Sequence, residues 1–290
     1  MAAISYDSPA ILKDFADRHK IEYALLADPQ SKIIASYGVL NPEATGMMKG
    51  MALPGYYYID PNEIIREQYF EAKYTDRFTA NNVLAKLFPA LAEGVSQKVD
   101  APHLRLELGQ SDRAAAPGSR FNLAVQVELP QDVHVYAPGV KGYKAIQLEF
   151  EPSPEVQLMP PTYPVSKTLY LEAIKEEVPV FDGQFRITSD AKISANADFI
   201  KSLGTGGKSI SISGQLNYQA CDKTICHPPT SVPVSWQLEI LPLDRQRSPE
   251  EIQHKSERHE VPLESRSDRR ESPVSVAARF LSPTAGSARR

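Results

Sequence analysis

The spacing of apolar residues changes period near residue 100, and that change commits the chain to two architectures in succession. Before it, short apolar runs alternate with stretches whose apolar residues recur every three or four positions, the pattern of strands alternating with helices. After it, the dominant period is two, the pattern of half-buried strands. A chain of 290 residues is long enough for two cores.

In the first region, residues 1–93, the spacing predicts a strand over Ala3–Tyr6. A helix is predicted next, with Ser8 as its N-cap and Pro9 at its first position. A second strand is expected over Tyr23–Leu26, followed by a turn at Asp28-Pro29. A short helix over Ser31–Tyr37 should stop at Gly38. A hairpin of Gly55–Asp60 and Glu63–Phe70 turns at Pro61-Asn62. A last helix is predicted over Thr75–Leu91. This is α/β material with too few strands for a complete sheet covered on both faces.

From residue 101 to 242 the strands expected are His103–Leu108, Phe121–Leu129, Ile146–Phe150, Leu169–Leu171, Gly183–Ile187, Ser209–Tyr218 and Val232–Leu241. Turn-forming residues separate them, which predicts an all-β sandwich, with Tyr218 and Trp236 in its core. The link between the two regions is placed at Glu93–Ala101. Residues 243–290 change character again. From 244 onward they hold ten Lys/Arg and eight Asp/Glu with few aliphatics, a composition that cannot offset its own ordering entropy, so a disordered tail is expected.

Charge excludes one class of partner. A net charge of −4 gives no field for a polyanion, so nucleic acid is not expected. No apolar run approaches the roughly 20 residues of a membrane span. The first residues carry neither a basic nor an apolar leader segment, so no signal peptide is visible.

Chemistry narrows to two residues. Cys221 and Cys226 are the only cysteines, and their spacing suits a local bridge, a metal half-site or a redox pair. A metal would need further ligands beyond His227, and no second Cys/His pair follows at the usual spacing. Closing so short a loop stabilises the fold by only about 2 kcal/mol on the chain-entropy model, a weak motive for a purely structural staple. No cofactor is expected.

Two stretches carry resemblances. Ala3–Ser8, Tyr23–Asp28, Tyr37–Val39 and Leu53–Asp60 resemble, in order and spacing, the peroxiredoxin/redoxin (AhpC/TSA) branch of the thioredoxin-like families. The resemblance implies a partial thioredoxin-like fold and places Pro54 where such folds carry a cis-proline. In that family a strand and a helix bearing the reactive cysteine come before the strand equivalent to Ala3–Tyr6. Here the residues start inside that strand, so a truncated start is expected. Without a cysteine in this region no peroxidase activity is expected, because the thiolate is the nucleophile.

The stretch Tyr218–Pro229 (YQACDKTICHPP), with Val232–Trp236, Val133–Gly139 and Val178–Gly183, resembles the immunoglobulin-like N-terminal domain of the DsbD thiol:disulfide interchange family. The resemblance implies that Cys221 and Cys226 lie on adjacent strands and relay electrons between a membrane thiol:disulfide interchange partner and thioredoxin-like proteins. It implies a periplasmic or other extracytoplasmic setting. It gives Phe181 and Tyr136 the role of shielding the cysteines, with His134 beside them. Apart from the resemblance, His227 is a surface neighbour of Cys226 that as a cation would stabilise a thiolate. Cys226 is favoured as the attacked sulfur. The spacing between the cysteines is one residue shorter than in the best-known members. Two readings of function follow: a thiol–disulfide oxidoreductase or electron relay fused to a redoxin region, and a non-catalytic binding module whose disulfide is structural.

Overall fold

The computed structural model describes residues 1–89, 95–171 and 175–254. Along the chain run β1 (Ala2–Ser5), α1 (Pro9–His19), β2 (Ala24–Ala27), α2 (Lys32–Ser36), β3 (Gly55–Ile59), β4 (Ile65–Phe70), β5 (Arg77–Phe78) and α3 (Ala80–Leu87). Then come β6 (Val95–Val99), β7 (Arg105–Gln110), β8 (Ala114–Ala115), β9 (Ser119–Glu128), β10 (His134–Tyr136), β11 (Gln147–Phe150), β12 (Val156–Leu158) and β13 (Lys167–Leu171). The last elements are β14 (Glu176–Asp182), β15 (Gln184–Ile193), α4 (Ala197–Leu203), β16 (Lys208–Tyr218), β17 (Ala220–Cys221) and β18 (Thr230–Ile240).

Local chemistry accounts for the early elements. The Ser8 hydroxyl accepts from the Ile11 N–H and Pro9 opens α1, as the sequence predicts. Buried Asp28 caps α2, its carboxylate accepting from the N–H groups of Lys32, Ile33 and Ile34 at 2.8–3.1 Å. Gly38 follows with φ +71°, the left-handed conformation that ends helices. The strands of this region do not join into one thioredoxin-like sheet among the described residues. β1 and β2 pair in parallel, β3 and β4 pair as a separate hairpin, and the peptide before Pro54 is trans rather than cis.

The predicted helix over Thr75–Leu91 is shorter than its spacing suggests, for a tertiary reason. Residues 77 and 78 are drawn into a strand, β5, parallel to the start of β9. The Arg77 N–H donates to Gly118 O and the Thr79 N–H to Arg120 O, both at 3.0 Å. Thr79 then caps α3 by accepting from the Asn82 N–H. Gly118, at φ +82°, lets the Thr75 carbonyl approach so closely that a β-carbon would stand 2.0 Å from its oxygen. Ion pairs of Glu71 with Arg120, Asp76 with Lys192 and Asp190 with Lys86 complete this junction.

The expected sandwich is present. One sheet runs β12-β15-β9-β7-β6, with β5 beside β9, and a second runs β11-β16-β18-β8. Their inward residues, among them Phe121, Val125, Ile187, Ile212, Leu216 and Trp236, form one large core. Trp236 donates through Nε1 to Gly109 O, and the Tyr218 hydroxyl donates to Pro102 O, so both buried aromatics have polar partners. The stretch expected as a linker instead contains β6, an antiparallel neighbour of β7. A third sheet, β13-β14-β10-β17, carries the cysteines.

Of the tail expected to be disordered, residues 255–290 lie outside the described residues. Residues 244–254 run back to α1 and β1. Asp244 meets His19 and Arg18, Ser248 donates to Asp14, and His254 stacks on Tyr6 with its Nε2 2.7 Å from Asp7.

Candidate thiol–disulfide site

β10 lies between β14 and β17, and alternation along these strands sorts their side chains to two faces. Val135, Phe181 and Ala220 join the large core. Tyr136, Val178, Val180 and Cys221 form a separate small cluster, with Tyr143, Leu169 and Leu171 packed against it. Cys221 is therefore held in a pocket of its own, outside the main core.

Cys221 and Cys226 are joined in a disulfide, their Cα atoms 4.0 Å apart across an antiparallel bridge. The four residues between them make a tight hairpin. The Asp222 N–H donates to Ile225 O, and the His227 N–H donates to Ala220 O, each at 2.9 Å. The Asp222 carboxylate accepts from the backbone N–H groups of Thr224 and Ile225 and from the Thr224 hydroxyl, all within 2.8 Å. These bonds hold its pKa down at about 2. The two sulfurs differ in surroundings: Cys221 is 1% exposed, whereas Cys226 is exposed at the hairpin's end.

Tyr136 is the aromatic that meets the sulfurs. Its hydroxyl lies 3.7 Å from Cys226 Sγ, and its ring stacks on Tyr143 at 4.4 Å. Burial raises the Tyr136 pKa, and the neighbouring Tyr143 and Glu176 add to the shift, so the phenol keeps its proton. Phe181 does not fill the shielding role. It sits one residue from Val180 on β14, hence on the other face, where it stacks on Phe185 inside the main core. Pro54 stays in the first region at the start of β3, its carbonyl accepting from the Glu71 N–H.

His134 is brought to the site, directly opposite Cys221 on one side and Asp182 on the other. It is buried, its Nε2 has no hydrogen-bond partner among the described residues, and burial lowers its pKa despite Asp182 and Asp222 nearby. His227 stacks on His103 with ring centroids 3.7 Å apart, and its Nε2 is 4.0 Å from Asp222. That stack ties the cysteine hairpin to the turn before β7. Sequence reasoning misses His103 and Tyr143, because each reaches the site through a loop far away in the chain. No group of three or more His, Cys, Asp or Glu among the described residues is arranged to hold a metal ion. No helix among them is long and apolar enough to cross a membrane.

Comparison with solved structures finds the N-terminal periplasmic domain of ScsB from Proteus mirabilis, at 11% identity and a TM-score of 0.31. The likeness covers 51% of this chain and about half, 51%, of that one. It also finds the reduced N-terminal domain of DsbD from Neisseria meningitidis, at 14% identity and a TM-score of 0.26, covering 41% of this chain and 82% of that one. No curated protein matches the chain. Family models agree with both resemblances read from the sequence. Residues 1–68 match the AhpC/TSA family, and residues 106–235, the span that contains both cysteines, match the family described as thiol:disulfide interchange protein DsbD, N-terminal.

Proposed function

We propose that the chain exchanges disulfides with a thioredoxin-like partner through Cys221 and Cys226, with Cys226 as the sulfur that meets the partner. The observation that carries this reading is the unequal exposure of the two cysteine residues, in a stretch that matches the DsbD N-terminal family. Exchange requires in-line approach of a thiolate to one sulfur, and Cys226 is the exposed residue of the pair.

The step balances simply. A partner thiolate attacks Cys226 Sγ, the Cys221–Cys226 bond breaks, and Cys221 leaves as a thiolate. Its burial among Tyr136, Val178 and Val180 favours the protonated thiol, so it takes up a proton. A second partner thiolate then attacks the partner's own sulfur and releases Cys226. The partner ends oxidised and the pair reduced by two electrons; the reverse sequence oxidises the pair. The Tyr136 hydroxyl is within reach to donate to the Cys226 thiolate. An oxidising, extracytoplasmic compartment suits such a bridge, and a membrane thiol:disulfide interchange protein suits the other end of a relay. The region matched to the AhpC/TSA family holds no cysteine, so the reading includes no peroxide reduction there.

The test is trapping with a single-cysteine thioredoxin variant whose thiol is first activated as a mixed disulfide with thionitrobenzoate. An accessible thiolate of the chain then attacks the thioredoxin sulfur and releases thionitrobenzoate. Cys221→Ser should accumulate a mixed disulfide at Cys226, because the buried resolving thiol is gone. Cys226→Ser should accumulate little. The pair's reduction potential should fall among those of exchange proteins, above about −300 mV. Failure of both variants to trap, with a potential below that value, would leave the bridge as a structural staple in a binding module.

A further inference from the structure

α3 and the outer face of the six-stranded sheet enclose a cleft of about 340 Å³, away from the cysteines. Arg186, Thr188 and Asp190 line it from alternate positions of β15, whose intervening residues Ile187 and Ser189 are buried. Lys86 enters from α3, Asn122 from β9, and Thr162 from a segment that exchanges two backbone hydrogen bonds with Thr188.

The charges in this cleft do not cancel. Lys86 Nζ is 2.6 Å from Asp190 Oδ2, and Asp190 Oδ1 accepts from the Asn82 and Asn122 amides at 3.3 Å. That carboxylate is thus fully engaged. Arg186 has no ion-pair partner among the described residues, and its Nε is buried without any hydrogen bond. Burial lowers the pKa of its guanidinium, but such a group does not deprotonate in a protein. Arg186 as a whole is only partly buried and borders the cleft, so an anion there would meet an unpaired cation.

We infer that this cleft binds a small carboxylate, held by the Arg186 guanidinium. Two cations and one carboxylate among the lining side chains leave one positive charge, which matches a monoanion. The planar fork of arginine fits a planar carboxylate in two parallel hydrogen bonds. Asp190, already in place, disfavours a doubly charged phosphate. The cleft volume is at the lower end of small-ligand pockets, room for a compact organic acid or one acidic side chain.

The experiment follows the Arg186 Nε–H resonance in the full chain by NMR during titration with propionate, benzoate, inorganic phosphate, and a blocked peptide whose only carboxylate is a glutamate side chain. A saturable shift with a carboxylate, at least about tenfold tighter than with phosphate, is expected. Saturation by the free acids alone assigns the cleft to a small metabolite, and saturation by the peptide assigns it to an acidic chain. R186Q should weaken binding about tenfold or more while leaving exchange at Cys226 unchanged. No saturable shift of the wild-type resonance up to about 20 mM, or equal affinity in R186Q, overturns the inference. The wild-type titration decides alone if R186Q does not fold.

Discussion

His134 faces Cys221 across β10 and β17, flanked by Asp182 and Asp222, and is buried with one ring nitrogen unpartnered. Because burial lowers its pKa, the folded protein disfavours the proton that the unfolded chain binds near pH 6.5. Stability is then level above that pH and falls as pH drops toward the folded pKa, by at most about 1.4 kcal/mol per pH unit for this one proton. Asp222 acts in a separate window. Its pKa is depressed to about 2, so its contribution is complete above about pH 4 and is lost as pH falls through 2. Denaturant unfolding at pH 7.5 and 5.0 should show the first loss, and His134→Gln should flatten it. An unchanged slope in His134→Gln would exclude this residue as its source. Of these residues, the cysteines are legible in the sequence because there are only two of them. Tyr136 and His134 are legible through the family resemblance. His103 and Tyr143 leave no local signal, since their contacts are made through the folded chain alone.

The cysteine hairpin closes a small ring on the third sheet, while the main core is built from the other two sheets and the inward face of this one. Reduction should therefore loosen the hairpin without dissolving the sandwich. The loss expected is about 2 kcal/mol, or roughly 4–8 °C in melting temperature for a domain of this size. Calorimetry with and without dithiothreitol measures it, and a collapse of the whole transition on reduction would contradict the placement. Phe181→Ala belongs to the other category: a truncation inside the main core, expected to cost about 3–5 kcal/mol. At this scale the sequence is informative where period is strong. β7, β9, β16 and β18 are all anticipated within a few residues. β6 is missed because Val95–Val99 is short and polar in the middle, and it looks like a tether until β7 supplies a partner. β5 is missed because Arg77 and Phe78 sit in helical spacing, and only the open flank of β9 pulls them straight.

For the whole of residues 1–254, the question is how the region matched to one family is joined to the region matched to another. The described residues up to 89 bury few apolar side chains of their own, Ile34, Val39, Val83 and Ala85. Those that follow the β3–β4 hairpin are committed to the sandwich through β5, α3 and three ion pairs. Gly118→Ala tests this junction. The added methyl group meets the Thr75 carbonyl and demands a left-handed backbone that alanine resists by roughly 1–2 kcal/mol. Hydrogen exchange at the Arg77 and Thr79 amides should accelerate, with protection in β16 and β18 unchanged; equal protection at residues 77 and 79 would show that the junction tolerates the methyl. The contact at position 118 is made by backbone alone. Its history would therefore be written as a prohibition rather than as a pairing: residue 75 could drift freely, and the one trace of the join in a collection of variants would be a position that never acquires a β-carbon.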